Sequence, residues 1–325
     1  MTGCYLIADI GATNARFALA DDLAAWPGDD ALLRATLATN AYASAQSLLA
    51  AAREELGFAA LDGACLAVAG PVHDGCGSMT NSELVIDAER VAEELGCPVT
   101  VVNDFVAMAQ GVPCAHETLQ IGGDAAAEGV IAVVGPGSGF GVSALIPWDS
   151  GYRVLASESG HCDLAPGSPL EQELLVLLSQ QHTVVSWETV LSGPGLVNLY
   201  RAMAALWGAE PEPATPQWVS EQGRRSGDPI CHQTLETFFG FLGAAAGNLA
   251  LTFRASGGVY IGGGIVPQLA EFATTSPLRR RFEERGPLTD YVAGIPIWLL
   301  MDPDPGLVGA LECLRVTQGA GASKM

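Results

Sequence analysis

The chain has 325 residues and 49% of them are hydrophobic, enough for one large or two ordinary domains with real cores and too much for a disordered chain. Lys and Arg total 15 against 36 Asp and Glu, a formal charge of −21 with no basic run, which excludes a nucleic-acid partner. The single lysine is Lys324, so Walker A loops, protein kinases and pyridoxal enzymes, which all need an internal lysine, are excluded too.

Tyr5 to Leu19 (YLIADIGATNARFAL) reads as a strand, a small-residue turn and a second strand. Ser44 to Gly57 has helical periodicity with Gly57 as a C-cap, and Ala64 to Ala69 is a short strand. Asp87 to Gly96 is a helix with an Asp N-cap and a Gly stop. Pro98 to Val102 is the next strand and runs directly into Asn103-Asp104-Phe105. This alternation predicts an α/β protein with a mixed or parallel sheet under helical cover, and ligands gather at the carboxyl ends of such strands.

Val130 to Ala144 (VIAVVGPGSGFGVSA) repeats the opening layout of strand, glycine-rich turn and strand. Pro169 to Gln180 and Gly195 to Leu206 are predicted helices. Leu206 to Pro229, rich in Pro, Glu, Gly and Ser, reads as an exposed excursion. Thr234 to Arg254 is a long apolar helix, followed by Gly257 to Gly264, a strand ending in a glycine triplet. Ile295 to Met301 reads as a strand and Pro305 to Ala310 opens the last helix. The repeated unit is the half-molecule.

Glycine lets backbone approach a ligand closely, and successive free N–H groups in a turn form an anion-binding concavity. Two such turns can hold a polyphosphate. No G-x-G-x-x-G follows a strand, so a nucleotide would be held by amides, arginine, hydroxyls and metal. The acidic field would otherwise repel a triphosphate unless Mg²⁺ and local dipoles compensate. Asp9 can hold Mg²⁺ or its waters beside a phosphate, or merely cap the turn. Thr13 and Asn14 can donate to phosphate, and Arg16 can neutralise it or face solvent.

Asp104, at the end of an apolar strand, is a candidate general base for transfer of a phosphoryl group to an alcohol, or else a helix N-cap. Glu158-Ser159-Gly160-His161 and Glu188 offer carboxylates and an imidazole that can bind vicinal sugar hydroxyls, or they are ordinary residues of solvated loops. The eight cysteines include no C-x-x-C pair, and His161-Cys162 lacks further ligands at zinc spacing. With no N-terminal signal and no long apolar run, a cytoplasmic protein with reduced thiols and no membrane partner is expected.

In combination these residues resemble the bacterial ATP-dependent glucokinases, within the sugar kinase/heat-shock protein 70/actin fold. DIGATNARFAL is similar to the family's phosphate-1 motif, D-x-G-G-T-N-x-R, and Gly135 to Gly141 to its phosphate-2 motif. Gly262-Gly263-Gly264-Ile265 resembles the adenosine motif, and Pro305 to Ala310 the segment that ends the family's chain. Val102-Asn103-Asp104-Phe105 matches the catalytic strand end, and LSGPGLVNLYRA (191–202) is close to a signature of this group. The likeness runs from about residue 5 to 315 in consistent order. Two departures stand out: Ala12 replaces the usual second glycine of the turn, tolerable with φ below zero, and Ser157 and Ser159 flank Glu158 where glycine is frequent. The related ROK kinases and repressors share the E-x-G-H element, but the Cys-rich zinc motif and the helix-turn-helix segment of those proteins are missing here.

The resemblance implies a two-domain actin-like ATPase (ribonuclease H-like) fold with a duplicated mixed β-sheet core and an interdomain cleft. Residues 1–110 plus 301–325 would form the small domain and 111–300 the large one. It implies Asp104 as the base, Asn103 as a sugar contact, and Glu158, His161 and Glu188 on the remaining hydroxyls. Ala8, Asp9, Ile10, Gly11, Ala12 and Thr13 would lie along the ATP phosphates, with Asn14 and Arg16 beside them and Asp9 nearest the Mg²⁺. Ser138 and Gly139 would close from the other side, with Gly263 and Gly264 toward the adenosine. The implied reaction moves the γ-phosphate of Mg·ATP to the 6-hydroxyl of glucose in a homodimeric enzyme. A different hexose or amino sugar as acceptor, or a sugar sensor without catalysis, are the alternatives.

Overall fold

A computed structural model describes residues 3–21, 23, 33–79, 84–125, 127–149, 151–225 and 227–322; Lys324 lies outside the described residues. The chain begins β1 (Tyr5–Ile10), β2 (Asn14–Ala20), β3 (Arg34–Ala38), α1 (Ala45–Leu56) and β4 (Gly63–Val68). Three short strands follow, β5 (Val72–His73), β6 (Cys76–Ser78) and β7 (Val85–Asp87), then α2 (Ala88–Leu95), β8 (Val99–Asn103) and α3 (Asp104–Gly111). Next come β9 (Thr118–Gln120), β10 (Ile131–Pro136), β11 (Phe140–Trp148), β12 (Gly151–Ser157), α4 (Pro169–Ser179) and α5 (Trp187–Val190). The helices α6 (Gly193–Leu206), α7 (Pro216–Arg224) and α8 (Pro229–Thr252) precede β13 (Val259–Ile261). The chain closes with α9 (Ala270–Thr275), α10 (Leu278–Glu283), α11 (Thr289–Ala293), β14 (Ile297–Leu300) and α12 (Pro305–Ala322).

Two compact units result, one of residues 1–117 with 302–325 and the other of residues 118–301. The first holds a five-stranded sheet in the order β3-β2-β1-β4-β8, and the second a six-stranded sheet in the order β12-β11-β10-β13-β14-β9. In each, the opening hairpin is antiparallel, its second strand pairs antiparallel with the edge strand, and its first strand begins a parallel run of three. Among the described residues of these two sheets β9 alone has no counterpart, and β5, β6 and β7 form a separate three-stranded sheet. The half-molecule is therefore duplicated in topology as well as in the local pattern of its turns. In both copies the hairpin turn, 11–13 or 137–139, follows the carboxyl end of the first strand.

Strand alternation sorts the first unit into two layers. Leu6, Ala8, Ile10, Phe17, Leu66 and Val101 face α1 and α2, whose caps close as the sequence predicts. Ser44 Oγ accepts from the Ser47 amide at 3.2 Å, Asp87 accepts from two amides of α2, and Gly57 and Gly96 adopt φ of 69° and 70°. On the other face Ile7, Ala18 and Cys65 pack against Leu307, Ala310, Leu311 and Leu314 of α12, an i, i+3, i+4, i+7 stripe. Each buried leucine contributes about 1.5–3 kcal/mol. A segment 185 residues beyond Glu117 in sequence (302 − 117) thus completes the unit's first sheet.

In the second unit α8 is buried on nearly every side, as its apolar sequence requires. The expected excursion over Leu206–Pro229 is in part a helix. Thr215 Oγ1 accepts from the Trp218 amide at 3.1 Å, Pro216 opens the first turn, and Val219 is fully buried beneath it. Trp218 meets Tyr200 edge to face at 5.5 Å. Its polar composition concealed one buried stripe. Among the described residues no helix is long and apolar enough to cross a membrane.

In the first unit α3 and α12 approach backbone to backbone. A Cβ on Gly309 would lie 1.7 Å from the carbonyl oxygen of Ala107, which only backbone movement could relieve. Gly309→Ala is therefore expected to destabilise the protein by about 1–3 kcal/mol or more, read as a lower thermal midpoint. An unchanged midpoint would mean that the two helices do not touch as described.

Candidate active site

The first turn is closed by the Gly11 amide donating to the Asn14 carbonyl at 2.9 Å, and by Thr39, whose Oγ1 donates to the Gly11 carbonyl at 2.7 Å. Thr13 and Asn14 are exposed at its tip, whereas the Ala8 and Ile10 side chains are sealed in the core and can meet a ligand only through backbone. Ala12 has no positive φ, so its Cβ is accommodated in a turn where the resembling motif carries glycine.

Asp9 points to the α12 face, paired across the hairpin with Arg16. Arg16 Nη1 is 3.4 Å from Asp9 Oδ2 and its Nε is 3.6 Å from Asp304 Oδ1, while Arg34 Nη1 donates to Asp304 Oδ2 at 2.6 Å. A Cβ on Gly306, in the first turn of α12, would come 2.7 Å from Asp9 Cγ, so helix backbone covers this carboxylate. Burial pushes the Asp9 carboxyl up, Arg16 draws it down, and the Asp304 charge pushes it up again. Arg34 and Asp304 are absent from the sequence reading. An Asp before the Pro that opens a helix reads as a cap, and an arginine on a short polar strand carries no pattern.

Asp104 begins α3, but the helix is capped by its neighbour: Asn103 Oδ1 accepts from the amides of Phe105 at 3.0 Å and Val106 at 3.1 Å. Asn103 Nδ2 donates to the Gly70 carbonyl at 3.0 Å and to Asp104 Oδ1 at 3.1 Å, and the Phe105 amide also donates to Asp104 Oδ1 at 2.8 Å. One carboxylate oxygen is thus pinned by two donors, and Asp104 is relieved of capping duty. Its carboxyl is pushed up to about 6, first by burial and then by the Asp9 charge, against the lowering effect of those hydrogen bonds. Asp9, Arg16, Asn103 and Asp104 all belong to the first unit.

The second unit gathers the other candidates. Glu188 lies on α5; its Oε2 accepts from the Phe140 amide at 2.8 Å, directly behind the second glycine turn. A Cβ on Gly139 would sit 2.4 Å from that oxygen, so the turn needs glycine there to admit the carboxylate. Glu188 Oε1 is 3.9 Å from His161 Nδ1, too long for a hydrogen bond, which leaves both groups open to a ligand's hydroxyls. The loop bearing them is tied down: Glu158 O accepts from the His161 amide at 3.0 Å, and the Trp187 amide donates to Cys162 O at 3.0 Å. The side chains of Glu158 and His161 are exposed, as is Ser138 at the turn tip. Gly263, with φ of 85°, packs on Pro136, and the Gly193 amide donates to Gly137 O at 2.8 Å. The glycine triplet, the second turn and the start of α6 therefore meet, with Gly264 exposed beside them.

A sequence profile described as glucokinase matches residues 6–317. The chain belongs to the glucokinase family. It is 40% identical over 323 residues to a glucokinase of Aromatoleum aromaticum, covering 96% of both chains. The crystal structure of a glucokinase from an Antarctic psychrotroph superposes with a TM-score of 0.84 at 34% identity, over 97% of this chain and all of that one. A ROK family glucokinase from Streptomyces griseus, solved with glucose and AMPPNP, shares the fold at a TM-score of 0.65 and 21% identity, over 97% and 100% of the two chains. The fold is thus the actin-like ATPase fold of sugar kinases, built on the two mixed sheets described above.

Two titrations check the electrostatics of the glucokinase-family strand end. In metal-free buffer the Asp104 carboxyl, followed by carbon NMR against Asp104→Asn, is expected to titrate near pH 6. Asp9→Asn removes a neighbouring negative charge and should move that midpoint down; a midpoint near 4 in the unmodified protein would refute the described burial.

Proposed function

We propose that the protein is a glucokinase that transfers the γ-phosphate of Mg·ATP to the 6-hydroxyl of glucose, with Asp104 as general base. The observation that carries this is the Asp104 carboxyl. It is pinned through one oxygen, freed from capping by Asn103, and raised to about 6, where it is ionised at neutral pH yet basic enough to take a proton. The glucose named with the Streptomyces griseus structure supports the choice of acceptor, and its AMPPNP the choice of donor.

In the proposed step the 6-hydroxyl oxygen attacks the γ-phosphorus as its proton passes to Asp104. The bond from the γ-phosphorus to the β,γ-bridging oxygen breaks and ADP leaves, and the proton is later released to solvent. Asn103 orients Asp104 and contacts the sugar, while Glu158, His161 and Glu188 hold the other hydroxyls. Thr13, Asn14, Arg16 and the amides of both glycine turns, with Ser138 and Gly139, bind the phosphates; Gly263 and Gly264 lie toward the adenosine.

Among the described residues no three acidic, His or Cys side chains converge on a metal position. A single half-buried carboxylate such as Asp9 suits Mg²⁺, which keeps several waters and binds through one or two carboxylates together with substrate phosphates. When bound there, the ion would neutralise phosphate charge in a chain that is otherwise strongly acidic.

A coupled ADP assay over a panel of hexoses and amino sugars tests the acceptor, with glucose expected to give the highest kcat/KM. Asp104→Asn is expected to lower kcat by about 10²–10⁴ while sparing glucose binding, and full turnover in that variant would sink the assignment. The same variant should be more heat-stable at pH 8. A carboxyl raised from 3.8 to about 6 opposes folding once the unfolded chain ionises, so the gain is complete above pH 6 and vanishes below pH 4.

A further inference from the structure

The row Arg34–Asp304–Arg16–Asp9 alternates in sign and sums to zero, in a chain whose net charge is −21. Its members come from three strands and the start of a helix. Asp9 and Arg16 are direct cross-strand partners, and Arg34 faces Ala18, so it stands diagonal to Arg16 on the same face of the sheet. Asp304 precedes α12, which it caps through its carbonyl oxygen, the acceptor for the amides of Leu307 and Val308. Its carboxylate is thereby left to the two arginines.

Arg16 is 47% exposed, and a long side chain in that setting has many rotamers to choose from. Fixing it costs about 2 kcal/mol of rotamer entropy unless neighbours have already done so. Here two carboxylates anchored on different elements lie beside different nitrogens, Asp9 hydrogen-bonded to Nη1 at 3.4 Å and Asp304 ion-paired with Nε at 3.6 Å, which draws the guanidinium to one side of the sheet. Nη2 has no partner among the described residues. Arg34, at 2.6 Å, makes the shortest contact in the row and holds the Asp304 carboxylate in place for Arg16. Pairs this exposed are worth at most about 1 kcal/mol each, small beside the leucine stripe of α12, so the row contributes more to geometry than to stability.

We propose that Asp304 and Arg34 are positioning residues that preset Arg16 for the nucleotide's phosphates. This rests on the kinase reading above and adds two residues that touch neither substrate. They act through Arg16 alone.

The test compares the unmodified protein with Asp304→Asn, Arg34→Met, Arg34→Lys and the double variant Asp304→Asn/Arg34→Met. Three readouts are needed: the KM for Mg·ATP at saturating glucose, the KM for glucose at saturating ATP, and direct calorimetric titration of ATP. Asp304→Asn and Arg34→Met should each raise the KM and Kd for ATP about three- to fivefold, the loss that an exposed pair allows, and leave the glucose KM within about twofold. Arg34→Lys should recover most of the ATP affinity. The double variant should be no weaker than Asp304→Asn, because both changes break one line of contact. An ATP KM unmoved in Asp304→Asn, an equal rise in the glucose KM, or additive losses in the double variant would overturn the inference. If the unmodified protein phosphorylates glucose and Asp304→Asn binds ATP equally well, only this inference fails. If the unmodified protein binds no ATP, the kinase reading fails with it.

Discussion

Two carboxylates, Asp9 and Asp104, are held close enough for the charge of one to raise the proton affinity of the other, in a place where water is scarce. Much of the first unit consists of arrangements that make this tolerable. Arg16 shares its charge between Asp9 and Asp304, and Asn103 spends one end of its amide on the helix and the other on Asp104. The backbone of α12 closes over Asp9 at Gly306. An ionised group that solvates poorly is a cost to folding, and it is also what gives a base its strength at neutral pH. Asp104, the base of the proposed reaction, is therefore a residue that the fold accommodates at some expense.

The duplicated topology has been put to unequal use. In the first copy the position two residues before the turn is Asp9, paired with Arg16; in the second it is Gly135, paired with Gly141. One turn thus carries fixed charge, whereas the other offers backbone and admits a carboxylate, Glu188, from a distant helix. The same strand order supports both because strand pairing is made by the main chain, which leaves the side chains at the turns free to differ.

Much of this was legible in the residues themselves. Ser44, Gly57, Asp87 and Gly96 mark helix ends through local chemistry, and both hairpins follow from apolar runs broken by small residues. The strand-end position of Asn103-Asp104 and the polar character of the 158–161 loop could be read as well. What sequence could not supply were pairings set by the folded chain. That Asn103 takes the cap and frees Asp104, that Glu188 reaches the Phe140 amide, and that Arg34 meets Asp304 across 270 residues all depend on register and on close approach. Thr215 to Arg224 escaped notice for a simpler reason, since its buried stripe amounts to little more than Val219 and Gly223.

The return of the chain to its first unit has a bearing on synthesis. Strands β1 to β8 can pair early, but the face bearing Ile7, Ala18 and Cys65 has no cover until α12, made after the whole second unit, is available. Until then an apolar sheet face and the Asp9 carboxylate are both open to water. Completion of the first unit is thereby tied to synthesis of the segment from residue 302 onward, and a ribosome that stalls within the second unit releases a chain with an exposed apolar surface and an uncovered Asp9. Such a fragment is marked for a chaperone or protease by the same Ile7, Ala18 and Cys65 face that, once covered by the leucines of α12, stabilises the finished protein.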